Sequence, residues 1–173
     1  DQLKFPDNIK YVGDSLITNG IELKKIIINL SELNYFSSFA IQKTRLEKIE
    51  STGAGTAYSV VNHTLIKGKT AVLLTAQSDL SGVANVLKVE KYAANANQAI
   101  TLATIQRVLS NDLKRVEEGA FNLCSGIKGE LDYSSIRDIQ YVGKRIFNGI
   151  SESQLRIKDI EENSKWAEEW NVR

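Results

Sequence analysis

Between residues 102 and 127 the apolar positions fall into a near-heptad rhythm. Leu102, Ile105, Leu109, Leu113, Val116, Ala120, Leu123 and Ile127 are separated by 3, 4, 4, 3, 4, 3 and 4 residues. On an α-helix that spacing puts all of them on one side, as in a helix packed lengthwise on another. Asp79 stands where an N-cap would open the element, and the alanine-rich run 92–106 permits close helix approach. Gly126 and Gly129 then read as stop signals, and Ser135 with Asp138 as a variant capping box opening a second helix. That helix carries Ile139, Val142, Ile146, Ile150, Ser153, Ile157 and Ile160 at the same spacing and runs on toward Trp166 and Trp170. At about 1.5 Å per residue the two helices would be roughly 50 to 70 Å long. Joined by a short turn, they predict an antiparallel α-hairpin.

The first third of the chain is less decided. Pro6 marks an extended lead-in. Over 14–30, Asn19-Gly20 between apolar runs signals a hairpin, whereas Ile17, Ile21 and Ile28 keep helical spacing. Helix is favoured because Phe36, Phe39, Lys43, Leu46 and Ile49 continue on one side; the hairpin alternative stays open. No internal repeat is discernible at this level. The expected fold is mainly α: an elongated helical bundle with a long antiparallel α-hairpin and an inserted β-hairpin. It forms a single domain over 1–173, with a helical part at 1–50, the insertion at 51–78 and the long α-hairpin at 79–173.

The insertion begins with Gly53 and Gly55. A dinucleotide fingerprint needs a third glycine, a preceding strand and a following helix, and none is in place here. Gly68-Lys69-Thr70 lacks the upstream glycine of a phosphate loop, since position 63 is His63. The glycines instead let the chain turn into a β-hairpin, with strands over 56–66 and 70–77 around Lys67-Gly68-Lys69. Tyr58, Val60 and Ile66 share one face of the first strand, Val61 and Leu65 the other. In the second, Val72 and Leu74 oppose Ala71 and Leu73. A hairpin apolar on both faces needs cover, from its own fold, a partner chain or lipid.

Chemistry-bearing residues are sparse. His63 is the sole histidine and has no second metal ligand at useful spacing; Cys124 is the sole cysteine and reads as a small buried hydrophobe. A Cys124–His63 pair has no supporting motif. Glu117-Glu118, Glu161-Glu162 and Glu168-Glu169 are adjacent in sequence, so on a helix they diverge and cannot act as acid/base pairs. No cofactor is implied. Trp166 and Trp170 form an i, i+4 pair suited to packing or to anchoring a partner.

Charge excludes one class of partner. The net charge is +1, and from residue 79 onward 13 Lys/Arg face 14 Asp/Glu, so no basic face for nucleic acid is expected. No run of 18 apolar residues is present to span a bilayer. The absence of methionine suggests a removed leader or a fragment, and the sequons at Asn29 and Asn62 suit an extracytoplasmic setting. These features predict a non-enzymatic interaction or structural protein of an extracytoplasmic or envelope-associated assembly, working by helix packing and hairpin docking. Its interaction candidates are Tyr58, Val60, Val72, Leu74, Trp166 and Trp170, and its expected partner is a protein or a second copy. Two alternatives are a membrane-active or pore-forming helical protein with the 56–77 hairpin as a lipid-contacting tongue, and a helical ligand-binding sensor or carrier.

Overall fold

The computed structural model describes residues 1–109 and 112–170, the side chains of Glu169 and Trp170 excepted. The chain winds as a β-solenoid of about six turns and is only 9% helical. Turn one holds β1 (Gln2–Lys4) and β2 (Tyr11–Val12), and turn two holds β3 (Lys25–Asn29) and β4 (Tyr35–Phe36). Turn three begins with β5 (Lys48–Gly53) and continues through a meander of β6 (Tyr58–Val61), β7 (Thr64–Lys67) and β8 (Thr70–Leu73). Turn four passes through an irregular segment, 76–83, into β9 (Lys88–Val89). Turn five holds α1 (Leu102–Leu109) and β10 (Arg115–Val116), and turn six holds β11 (Gly129–Asp132) and β12 (Tyr141–Val142). β13 (Leu155–Lys158) and α2 (Lys165–Trp170) close the stack.

Equivalent strands lie in parallel register. Leu3 pairs with Ile26 and Ile26 with Ile49, in steps of 23 residues. On the second face Val89, Val116 and Val142 are in register, in steps of 27 and 26. The entry to the strands is built the same way six times: one carbonyl accepts from two successive N–H groups of the next turn. The acceptors are Asp1, Lys24, Lys10, Lys69, Leu87 and Lys114, at 2.8–3.2 Å. That arrangement turns the chain while leaving the next inward side chain on the core side.

Stacking this tight leaves no room for side chains at some crossings. A Cβ on Gly143 would sit 2.4 Å from the backbone nitrogen of Glu118 in the turn before it, so glycine is required there.

The core divides in two. Phe5, Ile26, Ile28, Leu33, Leu46 and Ile49 belong to an N-terminal cluster; Ile105, Val116, Phe121, Leu131, Phe147 and Trp166 belong to a larger C-terminal one. The meander stands between them as a shared wall. Tyr58, Leu65, Val72 and Leu73 enter the first cluster, while Ile66, Ala71 and Leu74 (just past β8) enter the second. This accounts for apolarity on both of its faces.

The expected helical bundle is not what forms. Of the first long helix only α1 exists, eight residues long and lying against β11 in a position that strands fill elsewhere in the stack. From Leu113 onward the spacing of 3 and 4 marks inward-facing positions of a solenoid turn rather than one side of a helix. Two residues expose the difference: Ala120 and its neighbour Phe121 are both fully buried, whereas Leu123 is 45% exposed in a left-handed conformation. The second long helix is likewise absent. Asp132 caps only a single 3-10 turn, Tyr133–Ser135, and Ile157 lies in β13. No coiled-coil seam is present in the described residues. Residues 1–50 carry no helix: Ile17 bridges Ile41, and Gly20 closes a turn by accepting the N–H of Leu23. Over the stretch expected as a two-stranded hairpin, the chain makes the three-stranded meander. A repeat is present after all, and its spacing varies from 23 to 27 residues.

Candidate functional site

Turns two, four, five and six each end their second face in a corner loop, at 39–44, 92–97, 119–124 and 145–150. The last three share a backbone signature: Tyr92, Gly119 and Arg145 are left-handed, and so are Ala96, Leu123 and Gly149. Lys43 takes the second of these places in turn two. Their amides form a ladder along the stack. Asn148 Nδ2 donates to Asn122 Oδ1 at 2.8 Å, Asn122 Nδ2 to Asn95 Oδ1 at 2.6 Å, and Asn95 Nδ2 to Gln42 Oε1 at 3.2 Å. Gln42 Nε2 continues to Ser15 Oγ at 3.3 Å.

Turn three has no such corner. The N–H of Leu74 donates to Ala93 O, and only two residues later that of Ala76 donates to Leu46 O. Turns two and four therefore meet directly at the far side, where Thr44 bridges Asn97. At the near side β8, β7 and β6 extend the sheet beyond β9, while β4 pairs with β2 in a sheet of its own. At about 4.8 Å per strand, β6 lies roughly 14 Å from β9 across that sheet. The two turns diverge as a wedge.

The wedge holds a cavity of about 730 Å³, within the size range of small-molecule sites. Phe39 and Tyr92 meet across it edge to face, with ring centroids 5.1 Å apart. Tyr58 forms part of the floor, its hydroxyl accepting the N–H of Phe36 at 2.9 Å. Tyr35 stands at the rim, stacked on Tyr11 at 4.9 Å. Gln42, Asn95 and Asn122 bring the amide ladder to the wall. The carboxylates that line it are engaged. Asp14 accepts the hydroxyl of Ser37, and Glu90 accepts the N–H of Lys91 at 2.9 Å and pairs with Lys88 at 3.4 Å. Such a site combines planar apolar faces with hydrogen-bonding amides on a rigid frame.

Of the residues singled out from sequence, Tyr58 and Val72 line this cavity, largely buried at its base. Val60 is half-buried in β6, and Leu74 lies inside the C-terminal core. Trp166 is buried at the end of the stack, stacked on Phe147 at 6.1 Å with its Nε1 donating to Ile136 O at 3.2 Å. The side chain of Trp170 lies outside the described residues. Cys124 and His63 are not brought together at the wedge. Cys124 is fully buried, its Sγ donating to Ala94 O at 2.9 Å, and burial pushes the thiol up to about 12. His63 holds Ile49 O through Nδ1 at 3.2 Å.

Sequence reasoning missed Phe39, Gln42, Tyr92 and Asn95. The available signal was the recurrence of an apolar residue followed by asparagine: Ala94-Asn95, Phe121-Asn122 and Phe147-Asn148. No helix among the described residues is long and apolar enough to cross a membrane. The lipid-contacting tongue is overturned, because both faces of the meander are spent on the two cores. The helical seam and the helical carrier fall with the bundle. No protein-family model, curated protein or solved structure matches this chain.

Proposed function

We propose that this chain is a β-solenoid recognition module that binds a ligand in the wedge between turns two and four. The observation that carries this reading is the missing corner of turn three, which lets turns two and four meet at one side and splay apart at the other. Aromatic side chains with few rotatable bonds line it on both walls, and the amide ladder fixes the walls relative to one another. A binding rather than catalytic role is supported by Cys124 and His63, the two candidate catalytic side chains, since neither lines the wedge.

The reading is tested by ligand-observed NMR with a panel of aromatic fragments against the wild-type chain and Phe39→Ala. Fragments that bind the wild type and lose their signal with the folded variant support it. A panel with no binders, or binders indifferent to the variant, overturns it.

A second reading concerns the outer surface of the second face. Tyr11, Tyr35 and Tyr141 are 67%, 40% and 42% exposed, and the Arg115 guanidinium lies over the ring of Tyr141 at 4.1 Å. Exposed aromatics backed by arginine are the composition of interface anchors, so a protein partner or a second copy would dock here. A Tyr11→Ser/Tyr35→Ser variant that leaves self-association and partner capture unchanged would remove that reading.

A further inference from the structure

Resting on the wedge as a binding site, we propose that its ligand is a small organic anion with a flat apolar body. Lys43, Lys67 and Lys91 all border the wedge, from turn two, the meander and turn four respectively. All three are exposed, and none takes part in an ion pair among the described residues. Beside them, Lys88 is neutralised by Glu90 at 3.4 Å.

The carboxylates at the wedge do not answer these three lysines. Asp14 is turned to Ser37, and Glu90 to Lys88 and a backbone N–H. The rim is therefore left with a positive excess above an aromatic floor. Lys67 is further positioned by the ring of Tyr58, its Nζ 5.6 Å from the centroid. A ligand that stacks on Phe39 and Tyr92 and places a carboxylate or sulfonate toward Lys67 would satisfy both features at once. A neutral ligand would use only the first, and a cation would meet three lysines against the two carboxylates Asp14 and Glu90.

The test uses two fluorogenic probes that share one aromatic framework: anilinonaphthalene sulfonate, which is anionic, and phenylnaphthylamine, which lacks the sulfonate. Each is titrated into the folded wild-type chain and into a Lys67→Gln/Lys91→Gln double variant, with far-UV circular dichroism confirming that both are folded. The expected result is saturable binding of the anionic probe at least tenfold tighter than the neutral one. The double variant should lose most of that advantage, and added salt should weaken the anionic probe alone. Equal affinity for both probes, unchanged in the double variant but lost in Phe39→Ala, would overturn the anion preference and leave the wedge standing as a site. Binding of neither probe would overturn both.

Discussion

The amide ladder makes a quantitative prediction about stability. In Asn122→Ala two hydrogen bonds vanish, at 2.8 Å to Asn148 and 2.6 Å to Asn95. Their consequences differ because their surroundings differ. Asn95 is only 6% exposed, so its Oδ1 loses its partner in a largely buried place, at a cost of about 1–3 kcal/mol. Asn148 is exposed, water replaces the lost partner, and the cost there is about 0.5 kcal/mol or less. The sum is about 2 kcal/mol. With a urea dependence of about 2 kcal/mol/M, the unfolding midpoint should fall by about 1 M with unchanged slope. Asn148→Ala, which strands no buried atom, should lower it by only about a quarter of that. Removing Asn95 together with Asn122 should cost less than the two single changes added, because the stranded partner is then gone. Equal losses for Asn122→Ala and Asn148→Ala would refute the reasoning, as would a loss below about 0.5 kcal/mol for Asn122→Ala.

Three further outcomes can be checked on the same protein. Gly143→Ala puts a methyl group 2.4 Å from the backbone of Glu118 and should cost at least about 3 kcal/mol, whereas Gly68→Ala, in open space at a φ of +58°, should cost about 1 kcal/mol; thermal melts of the two variants decide this. The Cys124 thiol, pushed up to about 12 from 9.0 by burial, should resist a thiol-reactive disulfide until the chain unfolds. Because its folded value is the higher one, its contribution to stability is complete below pH 9 and is lost as pH rises from 9 toward 12; Cys124→Ala should flatten that part of the stability profile. Trp166→Ala removes a buried indole with its hydrogen bond to Ile136 and should cost about 3–5 kcal/mol, read as an early-melting C-terminal end in hydrogen exchange.

Much of the core was legible in the sequence, while its geometry was not. Of the eight stripe residues from Leu102 to Ile127, six are buried, so the apolar positions were correctly located as inward-facing. Their spacing misled because a solenoid turn alternates short strands with corners, and its inward residues recur at 3 and 4 by that route too. The discriminating evidence was local. Ala120-Phe121 places two core residues side by side, which a narrow helical seam does not allow, and Asn95, Asn122 and Asn148 recur in the same setting at intervals of 27 and 26. In turn two that place is held by Gln42, and in turn three it does not exist, so the period is hidden in the first half of the chain. The wedge was illegible for a related reason: it is made by what one turn omits, and an omission leaves no motif.

The shared wall has a mechanical consequence. A stack of turns held only by neighbour-to-neighbour contacts can melt from either end, one turn at a time. Here β7 sends Leu65 into one core and the adjacent Ile66 into the other, so neither half can loosen without disturbing the strand that belongs to both. The molecule should therefore resist pulling from its ends as one beam with a stiff joint at its middle, and the wedge sits at that joint. Occupying the wedge would brace the joint; bending the beam would open or close the wedge.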